Sequence, residues 1–400
     1  MHPTLINKGI KGDSLSGKTI LLGVTGSVAA VKTVELARSL IRRGADVYVV
    51  MTKAAQMLIH PFALHYATGH DVICEITGGI EHVAFLGVDG IADIFLIAPC
   101  TANTIGKIAS GIDDTTVTTF AGTAMGSKIP ILIVPAMHES MYDHPIILEN
   151  IEKLKKVGVG FIGPRFEGGV AKISNIDDII INVEKALSQG LLTGKKILIT
   201  SGATKEPIDP IRMITNKSSG KTGQEIAKEA YKRGADVTLV HSGILGLEGI
   251  KEIKAESASD MVDAVLGELK KGYDAVISAA AISDFTAEKK STSKIKSGKS
   301  ITLKLVSTKK LLLEVKDAYP EVKVIGFKAE VNVSKDELIK RAKDLMSSAK
   351  LDLVVANDIS EGGMGTEDND VLLINDKIKQ VKGQKNEIAI EIIKALSNIL

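Results

Sequence analysis

The chain has no tryptophan among its 400 residues, and aromatic residues make up only 4%. That argues against stacking platforms for nucleobases, which are built from Phe, Tyr and Trp. Cysteine is almost as scarce: Cys74 and Cys100 lie in separate segments and form no C-x-x-C pair. Neither a disulfide framework nor a cysteine-rich zinc site is expected, and a reducing, cytoplasmic setting is. There is no excess of charge of one sign, the net charge being +2. No bulk field therefore gathers nucleic acid. Long apolar runs are missing, so no membrane span of roughly 20 residues is expected. The opening MHPTLINKGIKGDSLSGK has no apolar core of signal-peptide length. What remains is 44% hydrophobic and 24% charged residues, the composition of a globular protein. A chain of this length is too long for one small core and reads as two domains.

One unit is written twice. GKTILLGVTG begins at Gly17 and GKKILITSGA at Gly194. Each gives a short apolar strand, then a helical pattern, then a closing phrase: RRGADVYVV from Arg42 and KRGADVTLV from Lys232. Basic residues and glycine suit a helix C-terminus, and the apolar run after them reads as a second buried strand. Strand–helix–strand opens a parallel doubly wound sheet. The expected architecture is therefore α/β, with two Rossmann-like doubly wound domains spanning 1–190 and 191–400. They meet near SQGLLTG, Ser188–Gly194. The copies differ in length. Gly17 to Gly44 spans 27 residues and Gly194 to Gly234 spans 40, so the second copy carries 13 more. TKEPIDPIRMITNKSSGKTG fills that place. An insertion at the carboxyl end of a first strand lies where such sheets bind ligands.

Two phosphate motifs are missing. TNKSSGKTG at 215–223 ends like a P-loop, G-x-x-x-x-G-K-S/T, but Thr215 stands where the first glycine belongs. Its small polar donors before a helix still suggest an anion site. In the first copy, Gly26 and Ser27 follow the strand, yet G-x-G-x-x-G is absent and no acidic residue ends the second strand. NAD is disfavoured and a mononucleotide such as FMN remains open.

Three further stretches are GGIEHVAFLG with His82, APCTANTIGKIASG at 98–111 and PAMHESMYDHP at 135–145. With the GVTGS opening they resemble the flavin-dependent cysteine decarboxylases, over roughly residues 18–185. The resemblance implies a flavodoxin-like FMN domain. It also implies that a cysteine thiol is oxidised to a thioaldehyde, which lets CO2 leave and gives an enethiolate. His82 would act at the thiol and carboxylate, and Asn103 would bond substrate and flavin. Thr101 and Ala102 would lie beside the cofactor, with Gly26, Ser27 and Thr52 at its phosphate or ring. Met141 would line the substrate side. His138 replaces the asparagine of the family's P-x-M-N and can still donate to a carboxylate. The region GPRFEGGVAKI, 163–173, lacks the family's flap cysteine, which protonates the intermediate. Either another acid does so, Glu167 being nearest in sequence, or the reaction ends at the enethiol. A flavin domain with only a regulatory role is a further alternative.

SGATKEPIDPIRMITNKSSGKTG, SAAAISDFTAEKKSTSKIKS, VIGFKAE and LDLVVANDIS resemble the phosphopantothenate–cysteine ligases, over roughly residues 194–400. The two domains in this order resemble the fused decarboxylase–ligase family of coenzyme A biosynthesis. The resemblance implies that 4′-phosphopantothenate, cysteine and CTP are joined through an acyl-cytidylate, with Mg²⁺ or Mn²⁺. Decarboxylation to 4′-phosphopantetheine follows. Asn216 would contact the acyl-cytidylate, and Asp209 and Arg212 would shape the substrate side. Asp284 would meet nucleotide and metal, Lys294 the triphosphate, and Phe327 the nucleotide. Gly220 and Lys221 would belong to the same site. Lys343 and Lys350 stand near the family's paired lysines but at other offsets, which leaves CTP versus ATP open. Homo-oligomers are implied too: trimers through the first domain, dimers through the second, and together a dodecamer.

Overall fold

The computed structural model describes residues 2–168, 170–298, 300–360 and 362–400, without the side chains of Glu167 and Val170. The chain divides into two compact units, Met1–Leu187 and Ser188–Leu400.

In the first unit the strands are β1 (Thr19–Val24), β2 (Asp46–Met51), β3 (Val72–Ile73), β4 (Ile94–Cys100), β5 (Ile131–Pro135), β6 (Met137–His138), β7 (Gly160–Phe161), β8 (Arg165–Glu167) and β9 (Val170–Lys172). Six of them form a parallel sheet in the order β3-β2-β1-β4-β5-β7. Both faces of this sheet are covered, as a parallel sheet requires. The strands alternate in what they bury. Ile20, Leu22 and Val24 pack on α1 (Thr33–Ile41), α3 (Pro61–Thr68) and α9 (Ile176–Ala186). Leu21, Phe95 and Ile97 face α4 (Glu81–Leu86), α5 (Ala102–Ser110), α6 (Thr116–Ser127) and α8 (Pro145–Lys156). The short helices α2 (Lys53–Gln56) and α7 (Glu139–Tyr142) follow β2 and β6. The layering is that of a doubly wound α/β domain. Its strand order, 3-2-1-4-5, differs from the 2-1-3-4-5 of flavodoxin. The chain reverses between β1 and β4, and the carboxyl ends of those strands open a crevice.

The second unit contains β10 (Lys196–Ser201), β11 (Lys205–Pro207), β12 (Met213–Thr215), β13 (Asp236–His241), β14 (Lys251–Lys254), β15 (Ala275–Ser278), β16 (Phe285–Ala287), β17 (Leu305–Ser307), β18 (Lys323–Glu330), β19 (Leu353–Asp358), β20 (Asp368–Ile374) and β21 (Ile378–Gln384). Eight form a sheet in the order β14-β13-β10-β15-β18-β19-β20-β21. The strands from β14 to β19 are parallel, and the hairpin β20–β21 adds an antiparallel edge. One face packs on α11 (Ala258–Leu269), α12 (Leu311–Ala318) and α13 (Lys335–Ser348). The helices α10 (Lys221–Lys232) and α14 (Lys385–Ser397) bury apolar stripes of their own: Ile226, Ala227 and Ala230, and Ile388, Ile392 and Leu396. The inserted residues of the second copy form the hairpin β11–β12 and the turn into α10.

That turn depends on glycine. A Cβ on Gly223 would sit 2.7 Å from Ser201 Cβ and 2.9 Å from the Thr200 carbonyl oxygen. Backbone cannot yield there as a flexible side chain would. Gly223→Ala is therefore expected to destabilise the second unit by about 1–3 kcal/mol through overpacking. Urea unfolding checks this. A midpoint equal to that of the parent chain would show that α10 can lift from β10 without cost.

Candidate active sites at the strand ends

Hydrogen bonds draw the ends of β1 and β4 together in the first unit. Thr25, buried, donates its hydroxyl to the Pro99 carbonyl at 2.8 Å and accepts from the Thr101 amide at 3.0 Å. This sets Gly26 and Ser27 beside Thr101, Ala102 and Asn103. Gly26 presses on the start of α2, where an added Cβ would lie 2.6 Å from Ala54 Cβ. Ser27 caps the following 3-10 turn, Thr52 caps α2 and Thr101 caps α5. Those three hydroxyls thus hold backbone amides at the rim. Asn103 is exposed and has no hydrogen-bond partner among the described residues.

His82 lies on α4, edge-on to Phe120 of α6 with ring centroids 6.2 Å apart. Its Nδ1 is buried and has no hydrogen-bond partner. A buried polar atom without a partner costs free energy unless a ligand or water completes it. His138 is exposed where β6 passes into α7, and Met141 is exposed one residue before that helix ends. The strands β6, β9 and β8 form a small flap, with Met137 opposite Ala171. The Glu167 side chain lies outside the described residues. Cys100 is fully buried, and burial pushes its thiol up.

The second unit holds a cavity of about 750 Å³ at the carboxyl ends of β15, β18 and β19 and the start of α10. Asn216, Gly220, Lys221, Asp284 and Phe327 all line it. Asn216 is aimed by a bond from Nδ2 to the Ala281 carbonyl at 3.0 Å. Gly220 adopts a positive φ of 78° at the start of α10, which has no side-chain cap. The free amides of that first turn favour an anion.

Asp209, Arg212, Lys294 and Lys343 do not line this cavity. Asp209 is buried and spends its carboxylate on the protein. Oδ1 accepts from the Ile211 and Arg212 amides, both at 2.8 Å, and Oδ2 accepts from the Arg212 guanidinium at 2.9 Å. Oδ2 also accepts from the Ile295 amide at 3.2 Å, while Arg212 donates to the Ile295 carbonyl at 3.1 Å. These bonds hold the carboxyl below its usual range, the Ile211 amide first among them. The pair thus clamps the segment that carries exposed Lys294 onto the β11–β12 turn. Lys343 is exposed on α13.

Lysine dominates the cavity wall. Lys309, Lys310, Lys328 and Lys385 join Lys221, and Asp284 is the sole carboxylate among the described lining residues. Asp284 pairs with Lys310 at 2.5 Å, and Lys221 pairs with Glu367. Lys385 is 2% exposed and donates to the Thr366 carbonyl; burial, then Lys221, pulls its pKa down. The sequence offers a signal for Lys309 and Lys310, which stand directly between an apolar run and a helix. It offers none for Lys385, which reads as the first residue of an ordinary amphipathic helix. Among the described residues no group of three or more His, Cys, Asp or Glu side chains could hold a metal by itself, and no helix is long and apolar enough to cross a membrane.

Residues 9–188 match the family described as Flavoprotein, and residues 192–400 match the DNA/pantothenate metabolism flavoprotein C-terminal domain. The class is thus a flavoprotein domain joined to a pantothenate-metabolism domain. The coenzyme A biosynthesis bifunctional protein CoaBC of Thermococcus kodakarensis is 49% identical over 94% of this chain and 93% of its own. That of Methanocaldococcus jannaschii is 40% identical over 100% and 98%. The crystal structure of a CoaBC C-terminal domain is similar at 29% identity, covering 53% of this chain and 98% of that one, with a TM-score of 0.44. The chain belongs to the CoaBC family of coenzyme A biosynthesis bifunctional proteins.

Asp358, at the end of β19, anchors two turns beside the cavity. The Ser360 hydroxyl at 2.6 Å and amide at 2.8 Å hold its carboxyl down, with the Val333 amide at 2.9 Å, from 3.8 to about 2. A depressed carboxylate stabilises the fold fully above its unfolded value and stops doing so as pH falls through the folded one. The difference in urea midpoint between the parent chain and Asp358→Asn should therefore hold above pH 3.8 and vanish on acidification through about pH 2. A difference that does not change over that window would mean the carboxylate makes no such bonds in solution.

Proposed function

We propose that the chain makes 4′-phosphopantetheine in two steps, with residues 191–400 ligating cysteine to 4′-phosphopantothenate and residues 1–190 decarboxylating the product. The observation that carries this reading is the lysine-walled cavity at the uncapped start of α10, which takes in Asn216, Gly220, Lys221, Asp284 and Phe327. Both substrates of a ligation of this kind, a phosphorylated acid and a nucleoside triphosphate, are polyanions. Among the described lining residues, five lysines against one carboxylate suit them.

In the ligation the pantothenate carboxylate attacks the α-phosphate of CTP. Pyrophosphate leaves and an acyl-cytidylate forms. Cysteine's amine then attacks the acyl carbon and CMP leaves. Asn216 donates toward the acyl group, Lys221 and Lys310 meet phosphate oxygens, and Phe327 gives the nucleotide an apolar wall. Lys294 reaches the triphosphate from the segment that Asp209 and Arg212 clamp, and Lys343 stands farther out on α13. Asp284 with substrate phosphates fits Mg²⁺ or Mn²⁺, since such ions are commonly held by one or two carboxylates plus phosphate.

The residues at the ends of β1 and β4 fit FMN. Gly26 and Ser27 take its phosphate end with Thr52, while Thr101, Ala102 and Asn103 lie along it. When bound, FMN supplies the oxidation of the cysteinyl thiol that allows CO2 to leave. His82 accepts the thiol proton at its unpartnered Nδ1 or holds the carboxylate there, and Asn103 and His138 orient that carboxylate, with Met141 beside them. Homo-oligomers, through trimer and dimer contacts, belong to the same reading.

A second reading rests on the flap. No cysteine stands within 163–173, so the first unit would stop at an enethiol. Mass spectrometry separates the two. FMN-loaded protein is given phosphopantothenate, cysteine, CTP and Mg²⁺. Saturated 4′-phosphopantetheine is the expected product. The enethiol would establish the second reading, and phosphopantothenoylcysteine alone would overturn decarboxylation.

Variants test the division of labour. Asn216→Ala should abolish ligation and leave decarboxylation of supplied 4′-phosphopantothenoylcysteine intact. His82→Asn should slow CO2 release by about 10²–10⁴-fold, the usual contribution of a positioned proton-transfer group. Ligation should continue in that variant. Loss of both activities in either variant would count against two separate sites.

A further inference from the structure

A second, smaller pocket lies in the first unit, on the outer side of α1 and away from the ends of β1 and β4. It encloses about 270 Å³ between the N-terminal 3-10 turn, Pro3–Asn7, and the last turn of α1. Arg38 and Arg42 stand in its wall four residues apart, on one face of the helix. Both are half-buried. Like charges at this spacing repel and weaken a helix. Neighbouring cations have partners: Arg43 meets Asp177 and Glu184 at 3.6 and 3.7 Å, and Lys8 meets Asp46 at 2.7 Å. The guanidiniums of Arg38 and Arg42 have no carboxylate and no hydrogen-bond acceptor among the described residues. Glu35, one turn before Arg38, makes no ion pair with it. Among the described residues no acidic one lines the pocket.

The rest of the wall is built around these guanidiniums. Tyr66 lies under Arg38, with its ring centroid 5.3 Å from Cζ, so that guanidinium is held in place by its face and not by an acceptor. Thr4 fixes the 3-10 turn to α3 through a bond from its hydroxyl to the Tyr66 carbonyl at 2.6 Å. The Asn7 amide is without a partner at the pocket's edge. Buried Ile41 supplies an apolar floor. Two unspent guanidinium forks and a free amide make a surface of donors with no anionic acceptor. A lone carboxylate is satisfied by one fork. Two forks side by side suit a tetrahedral dianion with three free oxygens.

We propose that this pocket binds a phosphate group, either the phosphate-monoester end of a small metabolite or free phosphate, held between Arg38 and Arg42. The pocket shares no described lining residue with the second unit's cavity and none with the ends of β1 and β4. Its occupant ties the N-terminal turn to α1.

The test is calorimetric titration of FMN-loaded full-length protein at low ionic strength. Inorganic phosphate and glycerol 3-phosphate are the probes. The parent chain should bind one more phosphate per chain than Arg38→Gln/Arg42→Gln. The conservative Arg38→Lys/Arg42→Lys keeps the charge and loses the forks. It should bind at that site about 100-fold more weakly, the equivalent of losing two charge-assisted hydrogen bonds. Tighter binding of glycerol 3-phosphate than of phosphate identifies an ester as the ligand, and equal binding identifies the free ion. Arg42→Gln should melt no lower than the parent chain in phosphate-free buffer, because no protein partner is lost. Equal stoichiometry and affinity in the parent and double-glutamine chains would overturn the proposal. Acetate binding as tightly as phosphate would overturn the assignment of the ligand.

Discussion

The approach of the first turn of α10 to the end of β10 is the contact on which the second unit's cavity depends. Ser201 donates its hydroxyl to the Gly220 carbonyl at 2.7 Å, and Gly220 lies so close to Gly202 that an added Cβ would come within 2.8 Å of its Cα. With no side chain at 202, 220 or 223, helix and strand meet backbone to backbone. The amides of α10 are thereby brought to the crevice between β10 and β15, where the order of strand addition reverses. Ala281 donates to the Gly202 carbonyl at 2.8 Å and accepts from Asn216, so the loop after β15 closes the same wall. A larger residue at any of these points would push the anion-seeking end of the helix out of the crevice.

Electrostatics then follows from position. Lysines come to the cavity from α10, from the start of α12, from β18 and from the start of α14. None of these segments neighbours another in sequence, and each lysine has an ordinary local reason to exist. Together they form a field that no single segment carries. Internal partners moderate that field. Glu367 meets Lys221, Asp284 meets Lys310, and the Thr366 carbonyl receives buried Lys385. A polyanion entering the cavity competes for the same ammonium groups, so its binding trades one set of charge-assisted bonds for another.

How far the sequence foretold this differs by level. The repeated strand–helix–strand phrases fix the beginning of each sheet, because a buried parallel strand and a capped helix leave local marks. The antiparallel edge β20–β21 leaves no such mark, since exposed polar residues such as Lys379 and Gln380 hide the alternation. Candidate site residues in short motifs, such as Asn216 and Gly220 or Thr101 and Asn103, could be picked out where they stand. Lys385 could not, because its burial comes from packing between distant segments. Asp209 shows a different limit. A carboxylate in a ligand loop reads as a substrate contact, yet four backbone and side-chain donors consume it. Only the fold reveals that those donors come from Ile211, Arg212 and Ile295.

The two copies solve one problem at different scales. A parallel sheet that reverses direction leaves a crevice at its carboxyl ends, and a ligand there needs donors from the loop after the first strand. In the first copy the loop is short: Gly26 lies against Ala54, Ser27 caps the next turn, and Thr25 spans to Pro99 and Thr101. Such a loop can line only a narrow rim. The second copy spends its extra 13 residues on a hairpin and a glycine turn. The hairpin gives Asp209 and Arg212 a rigid base from which to hold the Ile295 segment, and the turn carries Asn216 and Lys221 inward. The extra length therefore widens a rim into a cavity of about 750 Å³, large enough for two substrates at once. A joining reaction requires that room, whereas chemistry on one substrate beside a flat cofactor does not.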